Sequence, residues 1–142
     1  EIFESISDKF VPDAFILGTG TGGTLMGTGK YLKEKWPDIK IIAIEPAESP
    51  VMSGGEPGLH GIQGIGDGSK FLVDLDFVDE VHTIKTSTSE SASKHLAKKY
   101  GLFVGVSAGA NLYSSFDWLR KNNCKNAITI ICDRGERYFS CL

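Results

Sequence analysis

The stretch Gly18-Thr19-Gly20-Thr21-Gly22-Gly23-Thr24 packs four glycines and three hydroxyls into seven residues, between the apolar run Ala14-Phe15-Ile16-Leu17 and a helical pattern that begins near Leu25. Glycines let backbone N–H groups approach an anion closely, and a helix that follows adds its positive N-terminal end. Thr19, Thr21 and Thr24 add hydroxyl donors. Three hydroxyls among four glycines suit the several oxygens of one terminal phosphate better than a pyrophosphate lying along bare backbone. The loop therefore reads as a phosphate cradle.

Other motifs compete for the same chemistry. Gly18, Gly20 and Gly23 satisfy G-x-G-x-x-G, and Glu45 ends the next apolar run, Ile41-Ile42-Ala43-Ile44, about where the ribose-binding acid of a dinucleotide fold would sit. A Walker A loop fails, because Gly29-Lys30 is followed by Tyr31 and Thr24 stands where its first glycine is required. Gly105-Val106-Ser107-Ala108-Gly109 matches the G-x-S-x-G nucleophile elbow, but that hydrolase order needs a histidine after the serine. His60, His82 and His95 all precede it. Ser107 then reads either as a helix N-cap or, beside a phosphate cradle, as a hydroxyl that hydrogen-bonds the ring nitrogen of a pyridine cofactor.

These residues must be positioned by alternating strands and helices. An amphipathic helical pattern starts at Ile2, and the chain opens on Glu1 without an initiator Met, so it is expected to be cut from something longer. Strand 14–17, a helix over about 25–36 stopped by Pro37, and strand 40–45 follow. Residues 46–70 hold seven glycines and three prolines, a long ordered loop that Val51, Met52, Leu59, Ile62 and Ile65 can anchor. Strand 81–84 leads to a capping box, Ser87 to Glu90, that opens a helix ending at Tyr100 with Gly101 as its stop. A 105–110 turn, a helix through Lys121 and a strand over 127–132 complete the order. Such alternation predicts an α/β fold, a parallel sheet with helices on both faces, whose ligands bind at the strands' carboxyl ends.

Composition narrows the function classes. With 142 residues, 41% hydrophobic and 23% charged, the chain can bury one core and reads as a single lobe, 1–142. A formal charge of -3 with intermixed signs gives no basic stripe for nucleic acid or an anionic membrane, and no stretch reads as a membrane span. Cys124, Cys132 and Cys141 form no C-x-x-C pair and are odd in number, which argues for reduced thiols and a cytoplasmic protein. The histidines are scattered and no metal site is expected.

Taken together, these motifs resemble the cysteine synthase family, fold type II enzymes that use pyridoxal 5'-phosphate, over essentially the whole chain. The resemblance rests on the glycine loop, Glu45-Pro46, Ser49-Pro50-Val51, Ser53-Gly54-Gly55, Pro57-Gly58 and Ile62-Gln63-Gly64-Ile65-Gly66. Ser107-Ala108-Gly109-Ala110 and Gly135-Glu136-Arg137-Tyr138-Phe139-Ser140 complete it. It implies that Gly20, Thr21, Gly22, Gly23 and Thr24 hold the cofactor phosphate, that Ser107 meets the pyridine nitrogen, and that the 64–68 loop borders an amino-acid substrate. It also implies that this is the large C-terminal domain of the enzyme. The Schiff-base lysine and the substrate-carboxylate loop would belong to an N-terminal half absent from this chain, which the chain would need as a partner, and the assembly would be a homodimer.

The implied reaction is β-replacement or β-elimination on cysteine or an O-acylserine, with the cofactor as electron sink. A serine at the ring nitrogen cannot hold a pyridinium as a carboxylate can, which favours elimination over transamination. A catalytically silent homologue serving as a binding or regulatory subunit is the alternative. Two positions depart from the family pattern: Gly61 stands where relatives often have lysine, and Asp67 where synthases usually have a small apolar residue. As an exposed turn residue Asp67 would be unexceptional. Facing the site, its carboxylate disfavours an anionic leaving group such as acetate and can orient the amine or thiol of cysteine or take a proton, which tilts the chemistry toward sulfide release.

Overall fold

The computed structural model of the chain describes residues 1–139; Ser140 and Cys141 of the motifs above lie outside the described residues. Four parallel strands, β1 (Ala14–Gly18), β2 (Lys40–Pro46), β3 (Glu80–Ile84) and β4 (Ala127–Ile128), form one sheet in the order β3-β2-β1-β4. The near-continuous apolar runs of β1 and β2 are what a strand covered on both faces requires. Alternate residues divide between two cores. Ala14, Ile16, Ile42 and Ile44 pack with Val106, Ala110 and Trp118 of α4 (Val106–Asn122), whereas Phe15, Leu17, Ile41 and Ala43 pack with Leu25 and Leu32 of α2 (Gly23–Lys35). The sheet is therefore covered by helices on both faces, as the sequence predicts. Here α1 is the short N-terminal helix Ile2–Ile6, and α3 (Thr86–Tyr100) lies against α4 through the small residues Ser89, Ser93 and Gly109.

Four local expectations are corrected. Helix α3 begins at Thr86 with Lys85 as its N-cap and no side-chain cap, so the Ser87–Glu90 box does not form. Glu48 reaches in from the preceding loop instead, its Oε1 accepting the Thr86 N–H at 2.9 Å, while the Thr86 hydroxyl accepts the Gly61 N–H at 3.0 Å. The last strand pairs over only two residues, because side chains take over the hydrogen bonds beyond Ile128. Thr129 Oγ1 donates to the Ile16 carbonyl at 2.6 Å and Asn111 Nδ2 to the Ile130 carbonyl at 2.9 Å. In the long loop, Ile62 and Ile65 are buried as anchors and Val51 and Met52 half-buried, but Leu59 is 98% exposed and anchors nothing. Finally, α4 starts at Val106, so the expected 105–110 turn is the first turn of a helix.

Candidate functional site

The carboxyl end of β1 opens into a cleft of about 670 Å³ lined by the glycine loop, the 63–67 segment, Ser107 and residues that follow β4. Gly20, Thr21, Gly22, Gly23, Thr24, Ser107 and Asp67, all singled out from the sequence, line this one cleft.

At the cradle end, Gly22 is the N-cap of α2 in the left-handed region (φ 87), and no side chain caps the helix. The first-turn N–H groups of α2 thus face the cleft side with the helix dipole behind them. The loop is pinned from outside, where the Leu72 N–H donates to the Thr21 carbonyl at 3.0 Å and the Gly66 N–H to the Thr19 carbonyl at 2.9 Å. Gly22 has no room for a side chain because of the protein itself, since a Cβ there would lie 2.6 Å from Val73 Cγ2 and 3.0 Å from Val73 N. Gly20 is the glycine that keeps the cradle narrow: a Cβ there would lie 2.9 Å from the Gly64 carbonyl oxygen and 3.6 Å from Asp67 Oδ2. One of the three threonines is withdrawn. Thr19 is 4% exposed and its hydroxyl points to Met52 Sδ at 3.8 Å, which leaves Thr21 and Thr24 as the exposed hydroxyls.

Asp67 is both exposed and in the cleft, so the two readings of it are not exclusive. Gly64, Gly66 and Gly68 all have positive φ, a backbone that turns sharply around it. His60 sets the loop's place, with Nε2 donating to the Gly66 carbonyl at 2.9 Å and Nδ1 accepting the Ile62 N–H at 3.2 Å.

At the other end, Ser107 is 4% exposed and is the second residue of α4; Gly105 is the N-cap, which removes the N-cap reading of Ser107. Beside it stands Cys132. Partial burial pushes the Cys132 thiol pKa up and the charge of Asp133 adds to this, against hydrogen bonds from Asn111 and Ser107 that pull it down. Sequence reasoning assigned no role to Asp133 and Tyr138, which complete this end. Asp133 Oδ2 accepts the Tyr138 hydroxyl, and that bond is the main cause of a Tyr138 pKa pushed up to about 12. Asp133 Oδ1 is buried without a partner among the described residues. The signal available in the sequence was Gly105, where a Cβ would strike Asp133 and lie 2.6 Å from Tyr138 Cε2, but nothing local links residues so far apart.

The two ends suit a phosphorylated pyridine: an uncapped helix N-terminus with two hydroxyls at one, and at the other a serine hydroxyl in a wall that also holds the unpartnered carboxylate oxygen of Asp133. They do not suit a dinucleotide, because Glu45 is 2% exposed and already committed. Its Oε2 accepts the Met52 N–H at 2.7 Å, and its Oε1 accepts both the Ser53 N–H at 2.9 Å and the Ser53 hydroxyl. The nucleophile-elbow reading also fails here, since among the described residues no histidine lines the cleft.

Residues 1–133 match the family described as pyridoxal-phosphate dependent enzyme. The chain belongs to this family. A cysteine synthase from Staphylococcus aureus is 40% identical over 144 residues, taking in 99% of this chain and 46% of that protein. The structure of a cysteine synthase from Entamoeba histolytica matches with a TM-score of 0.92 at 38% identity, over 99% of this chain and 42% of that one. A hydrogen sulfide-producing enzyme from Fusobacterium nucleatum matches with a TM-score of 0.89 at 35% identity, over 99% and 43%. The chain thus spans about half the length of the curated relatives it matches, 46% in the Staphylococcus aureus case. The architecture is that of the family's fold type II members, and the family's cofactor is pyridoxal phosphate. Among the described residues no helix is long and apolar enough to cross a membrane, and no group of three or more His, Cys, Asp or Glu side chains is placed to hold a metal ion.

Proposed function

We propose that this chain is the C-terminal lobe of a pyridoxal-phosphate enzyme that performs β-elimination and β-replacement on cysteine or O-acetylserine, with release of sulfide from cysteine as its favoured direction. In this reading the first-turn N–H groups of α2, with Thr21 and Thr24, hold the cofactor phosphate, and Ser107 meets the ring nitrogen. Bound pyridoxal phosphate supplies an electron sink for the α-carbon of the amino acid. The lysine that carries the cofactor and the loop that binds the substrate carboxylate belong to the N-terminal half of the same enzyme, which docks on this lobe. The complete protein is a cytoplasmic homodimer.

One observation carries the direction of the chemistry: the Asp67 carboxylate borders the cradle, with Oδ2 at 3.6 Å from where a Gly20 Cβ would be. An anion there repels a departing carboxylate such as acetate and attracts the ammonium group of bound cysteine, and a proton its oxygen takes from that group can pass to the departing sulfur. Proteins of similar structure agree in kind, since they include both cysteine synthases and hydrogen sulfide-producing enzymes.

The test measures sulfide release from cysteine and cysteine formation from O-acetylserine, in the full-length enzyme and its Asp67→Asn variant. Sulfide release should fall by about a hundredfold or more, the lower range for a lost proton-transfer group, while synthesis from O-acetylserine is retained. Equal losses in both reactions, or none in either, would remove Asp67 from the chemistry. Gly20→Ala serves the cofactor assignment: a methyl pressed on the Gly64 carbonyl at 2.9 Å should abolish cofactor retention.

A further inference from the structure

Asn111 is 0% exposed and lies on α4, four residues after Ser107. Its Oδ1 accepts the Gly18 N–H at 2.7 Å, and its Nδ2 donates to the Ile130 carbonyl at 2.9 Å and to the Cys132 thiol at 3.6 Å. Each of these partners lines the cleft, whereas Asn111 stands behind its wall. Gly18 is the residue at which β1 becomes the glycine loop, and Cys132 is the neighbour of Ser107. The backbone is drawn close at the joint: a Cβ on Gly18 would lie 3.1 Å from Asn111 Oδ1 and 2.9 Å from Ile65 Cγ2.

Residues four apart on a helix share a face, so Ser107 and Asn111 move as one body. Only a side-chain amide of this length offers an acceptor to Gly18 and donors to Ile130 and Cys132 at once. We infer that Asn111 is a positioning residue that sets the span between the phosphate cradle and Ser107, and with it the orientation of a phosphorylated aromatic ligand that reaches across both. The inference rests on the pyridoxal-phosphate reading above. Asn111→Asp keeps the acceptor toward Gly18 but sets a carboxylate oxygen against the Ile130 carbonyl, which releases the Ser107 end while the cradle keeps its tie.

The experiment uses the full-length enzyme, with Ser115→Ala as the reference variant. Ser115 is on the same helix and its buried hydroxyl donates to the Asn111 carbonyl at 2.7 Å, so its loss lowers stability without touching the cleft. Thermal midpoint, affinity for pyridoxal phosphate, affinity for inorganic phosphate and the absorbance spectrum of the bound cofactor are measured for each protein. Asn111→Asp should weaken pyridoxal phosphate about tenfold or more and shift the bound spectrum, while inorganic phosphate, which needs only the cradle, changes by less than about threefold. Ser115→Ala should lower the midpoint and leave affinity and spectrum alone. Wild-type affinity and spectrum in Asn111→Asp, or cofactor losses that simply follow the thermal midpoint in both variants, would overturn the positioning role. Should Asn111→Asp fail to fold, Asn111→Ser, which gives up the tie to Gly18 as well, should weaken pyridoxal phosphate about tenfold or more and shift its spectrum beyond what its thermal midpoint accounts for, and wild-type affinity and spectrum there would overturn the role. A wild-type enzyme that binds no pyridoxal phosphate would instead bring down the functional reading on which the inference depends.

Discussion

Replacing Gly109 and Gly27 by alanine places the same methyl on two helices with opposite expected results. Inside a helix alanine is favoured over glycine by about 1 kcal/mol. At Gly27, exposed on α2, a Cβ meets nothing within 4 Å, so Gly27→Ala should stabilise by about 0.5–1 kcal/mol. At Gly109 the methyl would run into α3, against the Ser89 carbonyl oxygen, Ser93 N at 2.9 Å and Ser93 Cβ at 3.1 Å. Two of these atoms are helix backbone and cannot rotate away. Comfortable contacts are about 3.5–4.0 Å, so the two helices must part by up to about 1 Å. Overpacking of this kind costs about 1–3 kcal/mol. The separation also stretches the buried bond from Ser93 Oγ to the Val104 carbonyl, now 2.7 Å, a loss of about 1 kcal/mol. Set against the propensity gain, Gly109→Ala should destabilise by about 1–3 kcal/mol, so the two variants differ by about 1.5–4 kcal/mol. Equilibrium urea unfolding of the full-length protein gives both numbers, with equal slopes required for the comparison. Because Gly109 lies between Ser107 and Asn111, cofactor affinity should fall with Gly109→Ala and hold with Gly27→Ala. A Gly109→Ala protein as stable as the wild type would show that α3 yields freely and that close packing of small residues does not set the place of α4.

Ser107→Ala should retain the fold and the phosphate-held cofactor but slow elimination and change the bound cofactor's absorbance. Because Ser107 is not the N-cap of α4, a variant with the wild-type spectrum and rates would leave that hydroxyl only its contact with Cys132. Tyr138 sets an alkaline limit. Its pKa is raised to about 12 by the bond to Asp133, so its contribution to stability is complete below about pH 10 and is lost as pH rises through about 12. The difference in unfolding free energy between wild type and Tyr138→Phe should therefore shrink across that window in denaturant titrations, and a difference that stays constant would refute the assignment.

Local signals in this chain suffice where the physics is local. Apolar runs at 14–17 and 41–44 specify buried parallel strands, because side chains on both faces must be covered. The glycine density at 18–24 specifies a loop between β1 and α2 that lines the cleft, and Gly101 stops α3 in the left-handed conformation (φ 67) for a reason carried by glycine alone. What remained hidden depends on pairs distant in sequence. The start of α3 is decided by Glu48, 38 residues earlier, rather than by the local Ser87–Glu90 pattern. In the sequence the carboxylate of Glu45 and the hydroxyl of Thr19 look free for a ligand, but the 49–53 turn occupies both. Asn111 bonds a residue 93 positions away, and Asp133 is packed under Gly105. The sequence by itself determined the α/β class, the glycine loop and its place at the carboxyl end of β1, because propensity, glycine geometry and hydrophobic period act over a few residues. Only the tertiary structure decided which polar groups are left for a ligand, because a donor or acceptor is free only when no distant part of the chain has folded against it.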